Sequence, residues 1–400
     1  MTLLTVDKAK ALIVAQVKPL SAETIPLNAA RSRVLARDLK AKRDQPPFPA
    51  SAMDGYAVNS ADVDVPGRKL RLVGMSAAGH GFRGQLKRGE TVRIFTGAPV
   101  PQGADAILIQ ENSVAEAGWI IAKKAVTSGL HVRRQALDYK SGEILMKAGR
   151  SLTARDIGLA ASMNYASLPV RQKPIVAILA TGDELVEPGQ RPRRDQIVGS
   201  NSSAMAAFVE WGGGLPEIIP AVGDNESQIR AAMRKARHAN ILVTTGGASV
   251  GTHDLISSAL AAEGIPLTFW KIAMRPGKPL LFAIRGKQRI IGLPGNPVSA
   301  LVCARIFVKP LIDRFLGAPS DEPRIEAVLT HAMRANDERQ EYARGRFAGR
   351  KDGLLIVTPF PLQDSSMLRF LAEADCLIVR PPYAEAAVAG DRVEILPIDF

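Results

Sequence analysis

Six consecutive apolar residues at 175–180, Ile-Val-Ala-Ile-Leu-Ala, run without a spacer into Thr181-Gly182-Asp183-Glu184. A short apolar run rich in β-branched residues and closed by a turn signal predicts a strand buried on both faces. The pattern returns twice. Ile241-Leu242-Val243 leads into Thr244-Thr245-Gly246-Gly247, with Ser249 and Asp254 following. Ile290-Ile291 leads into Gly292-Leu293-Pro294-Gly295-Asn296-Pro297, and a helical apolar pattern starts at Val298. One polar strand end reads as a solvated turn. Three read better as loops converging at the carboxyl edge of a parallel sheet, where open α/β sheets bind ligands.

Around this block the periodicity changes. Residues 1–40 predict one or two helices, from DKAKALIVAQV and PLNAARSRVLARDLKA, before a Pro-rich hinge, RDQPPFPASAMDGYAV. From about 55 to 140, short strands alternate with Gly turns, as in KLRLVG and AGWIIAKKAV, which predicts an all-β module. TARDIGLAASMNYA predicts a helix leading back to the body. From 172 to 318 strands and helices alternate, the sign of βαβ units, with SNSSAMAAFVEWGG and ESQIRAAMRKARH as two of the helices. RIEAVLTHA, GLLIVTP, DCLIVRPP and DRVEILPI then predict a separate β domain. The expected architecture is α/β multidomain. Residues 1–40 with 141–171 form a helical subdomain, and 41–140 an inserted β-rich module. Residues 172–318 form a central three-layer α/β domain with a mostly parallel sheet, and 319–400 a β-barrel-like domain.

Composition narrows the function. The 400 residues are 46% hydrophobic and 23% charged, as in a globular protein, and no apolar stretch approaches the roughly 20 residues of a spanning helix. The N-terminus reads as an amphipathic helix, not a signal peptide. Two distant cysteines, Cys303 and Cys376, give neither a disulfide framework nor zinc spacing, so a cytoplasmic protein is expected. A net charge of +13 invites a nucleic-acid reading, but aromatics are only 5% and no such motif is present. Arg191, Arg193 and Arg194, the 230–237 run and ARGRFAGRK at 343–351 read as a solvated basic surface or as steering for a small polyanion.

Seven segments now become specific: SAMDGYAV (51–58), FTGAPVPQGADAILIQE (95–111), TGDEL (181–185), VGSN (198–201), TTGGASVGTHD (244–254), MRPGKPLLFA (274–283) and GLPGNPVSALV (292–302). In this order, over nearly the whole length, they resemble the MoeA family of molybdopterin molybdenumtransferases, related to the gephyrin E domain. The resemblance implies an elongated homodimer of four-part subunits. It implies transfer of molybdenum from molybdate to the dithiolate of adenylylated molybdopterin with release of AMP. It also implies a divalent cation, Mg²⁺, and contact with molybdopterin adenylyltransferase, with neither nucleic acid nor membrane as partner. A non-catalytic pterin carrier or scaffold, as in the gephyrin branch, is the alternative.

The residues suit that chemistry. Cleaving a phosphoanhydride-type bond builds charge on phosphoryl oxygens, which Mg²⁺ and fixed donors offset. Mg²⁺ takes oxygen ligands, usually one or two carboxylates plus waters. Asp183, Glu184, Asp224 and Asp254 are the acidic candidates, and the resemblance points to Glu184, Asp224 and Asp254 as metal ligands. A helix cap for Asp224 and an exposed turn for Asp183 are the plain alternatives. Gly246, Gly247 and Ser249 let backbone amides approach phosphate oxygens, and Thr181 and Gly182 join them as substrate-binding candidates. Arg275 and Lys278 bracket a Pro-Gly turn suited to an oxyanion, while Pro294 and Pro297 fix the third loop. By resemblance, Glu184 and Asp254 act catalytically with Asp54 and Thr96 of a neighbouring subunit's module, and Arg133 and Asp138 align with binding positions.

Two segments depart from the family pattern. HVRRQALDY carries His131 and Ala136 where the family favours Asn and Gly. QDSSMLRF keeps Gln363, Ser365 and Met367 but adds Asp364, Arg369 and Phe370, and an acid beside an anion site repels substrate.

Overall fold

A computed structural model describes residues 3–247, 255–320 and 323–400. Helix α1 (Val6–Val14) is capped by Thr5, and α2 (Ala154–Ser162) by a reciprocal Thr153–Asp156 capping box. PLNAARSRVLARDLKA (26–41), expected as a second N-terminal helix, instead continues from a strand at Ala22–Pro26 into a 3-10 turn at Leu27–Ala29 and a two-residue strand at Leu39–Lys40. Its partners explain the difference. Ala22–Pro26 pairs antiparallel with Ser167–Arg171, and Leu35 and Leu39 bury against Met146, Leu168 and Val170. Such long-range pairing overrides local helical periodicity.

The module between these pieces is a six-stranded sheet in the order 106–109, 55–58, 90–94, 69–76, 119–122, 113–116. The end of the expected hinge is thus its most buried strand, Gly55–Val58. There Gly55 is required by contact: a Cβ would lie 2.2 Å from the Leu108 carbonyl oxygen.

The central domain carries the three polar strand ends read from the sequence. Its elements run β1 (Ile175–Thr181), α3 (Asn201–Trp211), β2 (Leu215–Val222), α4 (Glu226–Lys235), β3 (Ile241–Thr245), α5 (Leu255–Ala262), β4 (Leu267–Trp270), β5 (Leu281–Arg285), β6 (Gln288–Leu293) and α6 (Pro297–Cys303). A π-helical turn, Ala304–Val308, carries α6 into α7 (Lys309–Leu316). The sheet order is β2-β1-β3-β6-β5-β4, with β2, β1, β3 and β6 mutually parallel. The mostly parallel sheet is borne out. Both faces are covered: Val176, Ile178 and Val243 pack under α1, α3 and the α6–α7 helix, while Ala177, Leu179 and Leu242 pack under α4 and α5. That two-sided burial is why the runs are continuously apolar.

Five strands close the C-terminal barrel: β7 (Ile325–Leu329), β8 (Gln340–Lys351), β9 (Leu354–Pro359), β10 (Cys376–Arg380) and β11 (Arg392–Pro397). The ring runs β8-β9-β7-β11-β10 and returns to β8. The longest strand, β8, contains ARGRFAGRK, which reads in the sequence as a basic surface cluster. One of its arginines is an interior residue: Arg344 is 1% exposed.

Charge also clamps α4 to α5. Glu263 accepts hydrogen bonds from Arg234 (2.6 Å), Arg230 (3.0 Å) and Arg237 (3.1 Å). The guanidiniums of Arg234, foremost, and Arg230 lower its carboxyl to about 2. Because the folded value lies below the ordinary one, the stabilisation is full above about pH 4.5 and fades as pH falls toward 2. Glu263→Gln should therefore lower Tm at pH 7, and its difference from wild type should shrink steadily in thermal melts taken from pH 4.5 down.

Candidate active site

Strand order decides where a ligand fits. From β1 the chain crosses to β2 on one side and returns to β3 on the other, so the β1–β3 boundary is a topological switch point. A cleft of about 410 Å³ opens at the carboxyl ends of these strands. Its walls include Thr181 and Glu184 at the end of β1, Thr245 and Gly246 at the end of β3, and Gly295, Asn296 and Pro297 where β6 leads into α6. Ser200, Asn201 and Ser202 at the start of α3 face it as well. Glycine is obligatory where the corners meet. Gly246 has φ +88°, and a Cβ there would lie 2.3 Å from the Thr181 carbonyl oxygen.

The structure gathers four of the expected residues here: Thr181, Glu184, Gly246 and Pro297. Gly182, Gly247 and Pro294 belong to the same corners without lining the cleft, and Gly182 donates its amide to the Val222 carbonyl. Asp183 and Asp224 join each other: the Asp224 amide donates to Asp183 Oδ1 at 3.0 Å, across the ends of β1 and β2. Ser249 and Asp254 lie outside the described residues. Among the described residues, no three acidic, histidine or cysteine side chains are grouped to hold a metal.

The cationic turn sits elsewhere. Met274–Arg275 pairs with Gln340–Glu341 of the barrel, and the Arg275 guanidinium is held by Glu341, Asp337 and Asn336. Arg275 lines a separate groove of about 860 Å³ on the barrel side. Gly277 packs against Cys303 of α6, and Lys278, half-buried, lines neither space.

Asp54 and Thr96 form their own constellation on the module. Their strands are adjacent, and Asp54 Oδ1 accepts from the Thr96 amide at 2.7 Å and its hydroxyl at 2.8 Å. These bonds, the amide's above all, hold the Asp54 carboxyl below its ordinary range, so it stays ionised near neutrality. Arg133 pairs backbone with Ala50, and Asp138 is exposed on the following loop. No module residue lines the cleft of the same chain.

Ser200, Asn201, Thr245, Asn296 and Ser366 also line the cleft and are not singled out by the sequence pattern, although VGSN and the β3 terminus are both conspicuous in it. Ser366 was the hardest to foresee. Arg344 sends its guanidinium to the side-chain oxygen of Gln363 and the carbonyls of Leu362 and Met367, which shapes the loop above β9. Ser365 of that loop accepts from Asn296 Nδ2 at 2.8 Å and, through its carbonyl, from the Val298 amide at 3.2 Å. A first-turn amide of α6 is therefore taken by the barrel. Asp364, the added acid, accepts from the Ser366 amide and hydroxyl within its own turn.

Models of three MoeA-type regions cover the chain: the MoeA N-terminal region (domains I and II) at 4–164, a probable molybdopterin binding domain at 177–314 and the MoeA C-terminal region (domain IV) at 326–398. A molybdopterin molybdenumtransferase of Haemophilus influenzae is 32% identical over 99% of both chains. The chain belongs to the MoeA family. A Bacillus subtilis molybdopterin molybdenumtransferase is 31% identical over 94% of this chain and 90% of its own. The crystal structure of a molybdopterin biosynthesis MoeA protein from Pyrococcus horikoshii superposes with a TM-score of 0.86 at 26% identity, over 99% of this chain and 100% of that one. No helix among the described residues is long and apolar enough to cross a membrane.

The departures in HVRRQALDY fall on left-handed backbone, since His131 and Ala136 both have φ +57°. Asn and Gly suit that region, and alanine is strained there. Ala136→Gly should raise stability by about 0.5–1 kcal/mol, the relieved strain less the entropy glycine loses on folding, measured by urea unfolding.

Proposed function

We infer that this protein is a molybdopterin molybdenumtransferase, inserting molybdenum from molybdate into adenylylated molybdopterin with release of AMP. The observation that carries this reading is the switch-point cleft, where Glu184 stands among hydroxyls and backbone amides at the ends of β1, β3 and β6. Such a cleft offers dipoles to phosphoryl and molybdate oxygens while Glu184 supplies the fixed negative charge. Among the described residues its lining contains no histidine or cysteine, so the donors there are hard oxygens, which suit Mg²⁺. Glu184 would hold the ion from the cleft wall, and the family resemblance adds Asp224, which does not line the cleft, and Asp254 as its further ligands. When bound, it would neutralise charge on the phosphoryl oxygens of the leaving AMP.

The remaining steps fall to the chain itself. The glycine corner at Gly246 brings backbone close to the substrate. The ionised Asp54, locked by Thr96, is a positioning acceptor and not a proton reservoir. Because Asp54 and Thr96 stand away from their own cleft, a second copy is needed to bring them in, and a homodimer with two composite sites is the arrangement we propose. Met53, 41% exposed beside Asp54, offers apolar surface for that contact.

Glu184→Gln should reduce AMP release from adenylylated molybdopterin, in the presence of Mg²⁺ and molybdate, by at least about a hundredfold. Wild-type turnover in that variant would remove Glu184 from the mechanism, and pterin binding without AMP release by the intact protein would favour a carrier. The composite site has its own signature. Glu184→Gln and Asp54→Asn subunits, each inactive alone, should recover about a quarter of wild-type activity when co-expressed, since half the dimers then hold one intact site. No recovery would place Asp54 and Glu184 in one subunit's site or in none.

A further inference from the structure

Three threonine hydroxyls at the ends of β1 and β3, those of Thr181, Thr244 and Thr245, are buried without a hydrogen-bond partner among the described residues. Buried polar groups are nearly always paired, so each orphan asks for an explanation. Thr245 is 2% exposed, yet it belongs to the wall of the cleft. It lies on the same face of β3 as Ile241 and Val243, the face covered by α3 and the α6–α7 helix. Thr244, on the opposite face, is fully buried and lines no part of the cleft.

Opposite Thr245 stands the start of α3. The first amides of a helix have no partner within it, and together they act as about half a positive charge. In α3 the N-cap Ser200 makes no side-chain capping bond, and the Asn201 amide side chain is engaged with the Gly295 carbonyl at 2.7 Å. Neither residue shields the helix end, and Ser200, Asn201 and Ser202 all border the cleft. Among the described residues no lysine or arginine lines this cleft, and Glu184 is the carboxylate on its wall. An anion here is held by oriented dipoles.

We propose that the first turn of α3 and the Thr245 hydroxyl form a subsite for one tetrahedral oxyanion, either molybdate or the phosphoryl group of the adenylylated substrate. The hydroxyl donates to an anion oxygen, as the first-turn amides of α3 do, and the orphan gains its partner only in the liganded state. Thr245 is in this sense a recognition residue. The proposal rests on the molybdenumtransferase reading for the identity of the anion, but not for its existence.

Isothermal titration of the full-length protein with molybdate, AMP and adenosine tests it. Thr245→Val should weaken binding of at least one of the two oxyanions about tenfold or more, the loss of a hydrogen bond to a charged group, and leave adenosine unchanged. Thr245→Ser should restore it. Thr244→Val, the matched control on the other face, should leave all three affinities at wild-type values. Both valine variants should melt no lower than wild type, because each removes an unsatisfied buried hydroxyl. The arms separate the sources: an effect on molybdate alone places the metal oxyanion in the subsite, and an effect on AMP alone places the phosphate there. The proposal is overturned if the wild type binds neither anion, if Thr245→Val binds both as wild type does, or if Thr245→Val melts clearly lower. Wild-type affinities in Thr245→Val alongside lost AMP release in Glu184→Gln sink the subsite and leave the enzyme standing. A Thr245-dependent oxyanion in a protein that never releases AMP does the reverse.

Discussion

Burial of β1 on both faces is the constraint from which the site follows. Val176 and Ile178 need cover on one side, Ala177 and Leu179 on the other, and a parallel strand obtains it only from helices on both faces. The chain meets that demand by sending α3 over one face and α4 with α5 over the other, so the strand order reverses between β1 and β3. The reversal parts the loops at the carboxyl edge, and the cleft is the gap it leaves. Close approach of Gly246 to Thr181 keeps that gap narrow, and its left-handed backbone excludes any larger residue.

Little of the net charge reaches the described wall of this cleft. The chain carries a net +13, yet several of its conspicuous cations are engaged elsewhere. Arg275 is held by carboxylates at the barrel edge, Arg344 by loop carbonyls and Gln363, and Arg230, Arg234 and Arg237 by Glu263. The long-range positive field remains available for steering a polyanion, while local recognition passes to amides and hydroxyls. Separating the two roles is physically sensible. Dipoles fixed by a sheet and a helix hold their geometry better than long, strongly hydrated side chains.

The barrel matters to the cleft through one loop. Arg344, buried within β8, fixes the 360–367 segment, which then reaches across to Asn296 and Val298 and places Ser366 on the cleft wall. A change in the barrel interior is thereby felt at the start of α6. The groove that holds Arg275 and the cleft that holds Glu184 both border this C-terminal segment, one at Leu362 and Gln363, the other at Ser366.

The fold class was legible because burial leaves a direct trace in the pattern. Continuous apolar runs at 175–180 and 241–243 demanded a covered parallel sheet, and the polar corners after them marked its ligand-binding edge. PLNAARSRVLARDLKA misled because its apolar residues answer to Leu168 and Val170, more than a hundred positions away, and periodicity cannot see that pairing. Arg344 misled likewise: a charged residue in a Gly-rich stretch reads as surface, and only barrel closure buries it. For the site, sequence alone could name the chemistry at each corner, since hydroxyl, glycine and carboxylate are written there. It could not say which corners share a cleft, because that depends on strand order. Nor could it separate Thr245 from Thr244: they are neighbours of one residue type, and the alternation of a strand sends one hydroxyl toward the ligand and the other into the core.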